Sequence, residues 1–277
     1  MKAFISVDLE GMPYIVSPEH LAPGRKLYTE ARRVATRVTK VVAEALTREG
    51  FDEVVVADSH GHMVALLAEE LPQSVELVRG FPRPLSMVAG IEGAEAAVFL
   101  GYHARAGVAR STFDHTYSGV YEKVVVNGVE ASEYLLNAYV AGSAGVPVVL
   151  VAGEEKLMED VEKFTPWAER VVLKRSLSRY SSASPSMVAI ERKLREAVRK
   201  ACEKLRRGEA KPLEPPSPIE LELWFATTGY ADVAELIPGA TRLSGRCVAF
   251  KVGNIVEAYR ILELAALAAA GLAKFLS

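Results

Sequence analysis

Short apolar runs recur along the first two-thirds of the chain, each followed by a segment with helical spacing. Lys2 to Val7 is the first, and it ends in the acidic residues Asp8 and Glu10. EVVVA (53–57), Ser74 to Val78, AAVFL (96–100), Lys123 to Val126 and PVVLVA (147–152) have the length and β-branched content of strands. Tyr28 to Arg48 carries Val34, Val38, Val41, Val42 and Ala45 on one helical face and closes at Gly50. Helices are also predicted over 132–144 and 154–163, and Asn127-Gly128 marks a tight turn. Strands alternating with helices predict an α/β fold, a mainly parallel sheet covered by helices on both faces.

The pattern changes near Arg175. Residues 176–186 are polar and serine-rich, 187–206 form a charged helix, and KPLEPPSP (211–218) reads as a connector. Strands are predicted over 220–226 and 247–252, and a final helix over 254–276. We therefore divide the chain into an α/β domain (1–164) and a smaller C-terminal α+β unit (165–277) packed closely on it. The last helix is apolar, but Glu263 interrupts it and the remainder is shorter than the ~20 residues that span a bilayer. It reads as a buried or subunit-packing helix.

The strand ends carry the candidate chemistry. Asp8 and Glu10 are two apart at the end of a strand, so both carboxylates can project to one side. His60 follows the strand EVVVA, and His103 follows AAVFL. Three strands thus deliver metal-capable side chains just past their C-terminal ends, the edge where open α/β sheets bind ligands. Carboxylates with neutral imidazoles suit zinc, and a metal pair needs a bridging carboxylate. Each residue alone has a plainer reading: an isolated DxE caps a turn, and a loop histidine such as His20 or His62 bonds locally at the surface, with a place lining the site also open to His62. Arg105 and Arg110 are exposed by default, though either could attract a peptide carboxylate.

Composition narrows the classes. Lys plus Arg (33) nearly balances Asp plus Glu (35), and half the residues are hydrophobic, so neither a nucleic-acid partner nor a membrane surface is expected. Two cysteines without CxxC spacing, and no signal-peptide pattern at the N-terminus, lead us to expect a cytoplasmic protein. No GxGxxG, Walker or GxSxG pattern occurs.

Five blocks are specific when taken together: SVDLEG (6–11), DSHG (58–61), FLGYHAR (99–105), DHT (114–116) and EYLLNAYVAG (133–142). In this order and spacing the chain resembles the zinc-dependent D-aminopeptidase family, and the likeness continues through PVVLVAG (147–153) and Ser178-Arg179. The resemblance implies two zinc ions per subunit, with Asp8 bridging and Glu10, His60, His103 and Glu133 as the other ligands. It also implies a catalytic His115, a homodecamer enclosing a chamber, and release of N-terminal D-amino acids from short peptides by a zinc-activated hydroxide. Glu133 rests on the resemblance, since an acidic residue in the first turn of a helix also simply favours the helix dipole. Asp58 is a candidate for orienting a ligand imidazole, with a turn-forming role equally open. Asn137, one turn after Glu133, is a candidate for substrate binding or for a local hydrogen bond. MPYIVSPEH (12–20) departs from the Gly- and Ser-rich segment of better-known members and is expected to border the pocket. A different amide or ester substrate, or a non-catalytic peptide- or metal-binding assembly protein, are the rival readings.

Amides are scarce: Gln73 is the one glutamine, and Asn127, Asn137 and Asn254 are the asparagines. Together with abundant charge this predicts a heat-stable protein. Calorimetry is expected to give a melting temperature above the mesophile range of about 45–65 °C; a midpoint inside that range contradicts the reading.

Overall fold

The computed structural model describes residues 1–276. In chain order its elements are β1 (Lys2–Val7), α1 (Tyr28–Arg48), β2 (Glu53–Asp58), β3 (Val75–Val78), β4 (Ala96–Tyr102), β5 (Tyr121–Val126) and β6 (Val129–Glu130). There follow α2 (Glu133–Ser143), β7 (Val148–Glu154), α3 (Leu157–Phe164), β8 (Glu169–Ser178), β9 (Ser181–Ala183) and α4 (Met187–Arg206). The chain ends with β10 (Ile219–Phe225), α5 (Thr228–Ala234), β11 (Thr241–Ser244), β12 (Cys247–Val252) and α6 (Ile255–Phe275).

The main sheet has the order β3-β2-β1-β4-β7-β8-β9, parallel except for β9. Its two faces can be read from alternation along β1 and β4. Ala3, Ile5, Val7, Ala96, Val98 and Leu100 share a core with α1 and α4, whereas Phe4, Ala97 and Phe99 share one with α2 and α6. Both faces are covered, which is why these strands are apolar throughout. The chain runs outward from β1 to β2 and β3, then returns to the other side of β1 as β4. That reversal makes a switch point beside β1, where crevices form in open α/β sheets.

A second, antiparallel sheet has the order β11-β12-β10-β5-β6. It does not follow a division of the chain at residue 164. β5 and β6 come from the first part, while β8 and α4, expected in the C-terminal unit, belong to the main sheet and its covering layer. The serine-rich tract hid this, because β8 leaves the core before it ends and β9 pairs with it as a polar edge. The connector crosses α2 at Gly142, where a Cβ would lie 1.9 Å from the Leu213 carbonyl oxygen. Both cysteines are buried free thiols, Cys202 on α4 and Cys247 on β12.

Three glycines set the spacing of the strand ends. A Cβ on Gly101 would meet the Asp8 carbonyl oxygen at 2.0 Å, one on Gly11 the Tyr102 carbonyl at 1.9 Å, and one on Gly153 the same carbonyl at 2.1 Å. Main chain packs directly on main chain here, and Gly11 N–H donates to the Gly101 carbonyl at 2.7 Å. Gly101 also has φ +73°. Gly101→Ala is accordingly expected to destabilise the fold by about 3 kcal/mol in urea denaturation, from overpacking and left-handed strain together. Gly119→Ala, where a Cβ meets nothing within 4 Å, should stay within about 0.5 kcal/mol of wild type.

Candidate metal centre

β1 lies between β2 and β4 in register, with Val7 opposite both Asp58 and Leu100. Residues just beyond these strand ends therefore fall side by side. Asp8 and Glu10 leave β1, His60 follows β2 by two residues, and His103 follows β4 directly. Glu133 enters from the first turn of α2, whose N-cap Ser132 accepts a hydrogen bond from Leu135 N–H. His115 comes from the loop before β5.

The six side chains form one cluster. Asp8 turns one oxygen to each side: Oδ1 is 3.2 Å from His60 Nδ1, and Oδ2 is 3.6 Å from His103 Nε2. Glu10 Oε2 lies 2.7 Å from His60 Nδ1. Glu133 Oε1 lies 3.5 Å from His103 Nε2 and 3.3 Å from His115 Nε2. The Tyr117 N–H holds that oxygen at 2.7 Å.

Each imidazole is fixed by a carbonyl behind it. His60 Nε2 is 2.7 Å from the Leu21 oxygen, His103 Nδ1 is 2.9 Å from that of Ala104, and His115 Nδ1 is 2.8 Å from that of Phe113. A carbonyl only accepts, so these nitrogens carry the proton. In the neutral ring the opposite nitrogen is then a bare lone pair, and all three bare nitrogens face the carboxylates. A carbonyl holding the far ring nitrogen in this way prepares histidine to bind a metal. Asp8 Oδ2, Glu10 Oε2 and His103 Nε2 are buried without a hydrogen-bond partner. Acceptors converging on acceptors require positive charge between them, and the donor set fits zinc.

The electrostatics agree. Burial pushes the Asp8 carboxyl well above its ordinary range, and Glu10 adds to the effect. Burial acts on Glu10 in the same direction, but His60, His115 and His103 outweigh it and hold Glu10 well below the usual value. Glu133 is also held down, by His115 and His103 against burial. Burial would lower His60, yet Glu10 and Asp8 raise it well above an ordinary histidine, and Glu133 does the same more modestly for His103.

The cluster forms one side of a cavity of about 240 Å³. Opposite it stand Met63, Phe81, Met87 and Tyr117, with Ala266, Leu267 and Ala270 of α6. His103 sits behind this surface, stacked on His115 with ring centroids 4.4 Å apart.

The sequence profile of the D-aminopeptidase family matches residues 1–264. The chain belongs to the D-aminopeptidase family. It is 32% identical to the D-aminopeptidase of Bacillus subtilis (strain 168) over 264 residues, 95% of each chain. Its fold matches the solved structure of the Zn-dependent D-aminopeptidase DppA from Bacillus subtilis, described as a self-compartmentalizing protease, with a TM-score of 0.93 at 31% identity over 98% of each chain. The chain is thus an aminopeptidase by family, with the α/β architecture its sequence predicted.

Not every expected site residue reaches the cavity of this family member. Asp58 does not hold a ligand imidazole: its Oδ2 accepts from Leu66 N–H at 2.7 Å, closing a turn, and the His60 partner is the Leu21 carbonyl. Burial pushes the Asp58 carboxyl up. Asn137 is fully buried and does not line the cavity; it donates to Tyr102 Oη at 2.8 Å and accepts from Tyr259 O–H at 2.7 Å. The segment 12–20 turns inward rather than bordering the cavity, burying Met12, Ile15 and His20. His62 is exposed outside it, as is Arg110, and Arg105 pairs with Glu130 at 3.3 Å. Sequence reasoning missed the three carbonyl acceptors, the Tyr117 N–H and the α6 wall. Main-chain groups leave no residue signature, and α6 lies more than a hundred residues from the motifs.

Because Asn137 ties α2 to β4 and α6, Asn137→Ala leaves the Tyr259 hydroxyl without its partner and opens space. A loss of about 2–3 kcal/mol in stability is expected, with KM unchanged. A raised KM at unchanged stability would return Asn137 to the substrate site.

Proposed function

We propose that this chain is a zinc-dependent D-aminopeptidase that releases N-terminal D-amino acids from short peptides at a two-metal centre. One observation carries the reading: three imidazoles, each tethered by one nitrogen to a carbonyl, aim the other at three buried carboxylates. Asp8, Glu10, His60, His103 and Glu133 would hold the two ions, with Asp8 shared between them. Bound zinc supplies Lewis acidity toward the scissile carbonyl and lowers the pKa of water.

The protein's own groups provide the rest. His115 is tethered at Nδ1 and turns a bare Nε2 toward Glu133 at the cavity, where it can take a proton from the attacking water and pass it to the departing amine. Its side chain is 23% exposed, the most open of the six, as a proton donor in contact with substrate should be. Met63, Phe81, Met87 and α6 give the cavity an apolar side for the substrate's own apolar atoms. The small cavity suits the end of a short peptide rather than a folded chain.

A homo-oligomer, ten copies by resemblance, is part of the proposal. Leu264 and Leu267 of α6 are 52% and 42% exposed, and Leu267 lines the cavity with Phe81, giving an apolar surface that a second copy would cover. The absence of any helix, among the described residues, long and apolar enough to cross a membrane is compatible with such an assembly.

The test is turnover of D-Ala-D-Ala and its L-isomer by purified protein, whose native mass should correspond to ten chains. Activity should favour the D-isomer, vanish with chelator and return with zinc to two ions per chain. His115→Ala should keep both ions and lose about 10²–10⁴-fold in kcat. His103, His115 and Glu133 also place donor atoms close enough to share one ion, so a variant holding a single zinc makes His115 a ligand instead. Hydrolysis insensitive to chelator overturns the metal mechanism, and turnover of an ester with neither dipeptide transfers the site to another substrate.

A further inference from the structure

Lys174 is fully buried on β8, separated from β1 by β4 and β7, and the chemistry described so far does not use it. Its Nζ donates to the carbonyl of Glu10 and, at 2.6 Å, to the carbonyl of Ile15. Taking an amine out of water is costly, and a methionine would fill the same space without that penalty. A methionine could not, however, serve two buried carbonyls, and unpaired buried carbonyls are rare in folded proteins.

The segment between those carbonyls has no regular structure, yet it lies inside the fold. Met12 and Ile15 are buried, Tyr14 has φ +70°, and the Tyr14 N–H and hydroxyl bond to Ser184 Oγ and the Pro185 carbonyl. Gly11 is tied to Gly101, as described above. Lys174 grips the segment at both ends, at the residue bearing a candidate ligand and five residues later. The same strand and the turn after it secure the segment before His115: Thr112 N–H donates to Ser176 Oγ at 3.0 Å, and Phe113 N–H to the Arg179 carbonyl at 3.2 Å.

We propose that Lys174 is a positioning residue, a strut from β8 that fixes the main chain of Glu10 so that its carboxylate faces Asp8 and His60 before any metal is bound. The proposal rests on the reading of Glu10 as a ligand. Lys174→Met removes the donors and keeps the bulk. Its zinc affinity, measured by competition with a chromogenic chelator, should fall about 10- to 100-fold, with two ions still bound at saturation and kcat reduced more than KM. Lys174→Gln, which keeps one donor group, should recover part of the affinity. A purely structural lysine would shift the melting temperature and leave zinc affinity within twofold of wild type, and that result overturns the proposal.

A second measurement needs neither variant nor zinc. In zinc-stripped wild-type protein, the amides of residues 9–16 should remain protected from hydrogen exchange, because the strut rather than the metal orders them. Exchange there as fast as in exposed loops would sink the strut even where the variants fail to fold. Wild-type protein that binds no zinc, with these amides still protected, would instead remove the metal reading and leave the anchoring of the segment intact.

Discussion

Asp8, Glu10 and Glu133 are carboxylates buried in one small region, each at most 5% exposed. Donor atoms of Asp8, Glu10 and His103 lie within 4.8 Å of one another. At that separation two like charges repel by about 3–4 kcal/mol at an effective dielectric near 20. A fold does not gather acceptors in this way unless something holds them there and something positive completes them. The first requirement is met by main chain: glycine contacts between strand ends, the Tyr117 N–H on Glu133, and carbonyls behind each imidazole. The second is a matter of divalent charge, and protons on the imidazoles answer it only in part. Burial and the neighbouring Glu10 push the Asp8 carboxyl up, while the histidines hold Glu10 and Glu133 down.

The sequence made one half of this site legible and left the other half to resemblance. Asp8, Glu10, His60 and His103 could be found because a parallel sheet puts consecutive strand ends along one edge, and strand ends are visible as the limits of apolar runs. The register that sets β2, β1 and β4 side by side was not visible, since strand order depends on packing over long separations. Glu133 and Asn137 show the opposite difficulty. Both lie on α2, one turn apart, and a helical-face argument gives them the same direction. Only tertiary packing separates them: the glutamate ends at the cavity, while the asparagine ends between Tyr102 and Tyr259, in the core that α6 closes. The change of composition near Arg175, which suggested a boundary at 164/165, falls where β8 runs out of the core at its polar end.

Division of labour between the two sheets follows from that architecture. The main sheet supplies every candidate ligand except Glu133, and its edge is rigid because it is built from interlocked main chain. The second sheet supplies none, and none of its residues lines the cavity; α6, packed against it, provides an apolar wall. Ala266 and Ala270 are small, and Leu267 and Phe81 are partly open to solvent. Changes on that wall alter what fits without moving an acceptor of the cluster, because no ligand backbone passes through α6. Under the proposed function, the α6 side of the cavity would meet substrate while the strand ends would hold metal. His115 is where the two meet: tethered by Phe113 on the braced side, stacked on His103, and partly exposed toward the cavity.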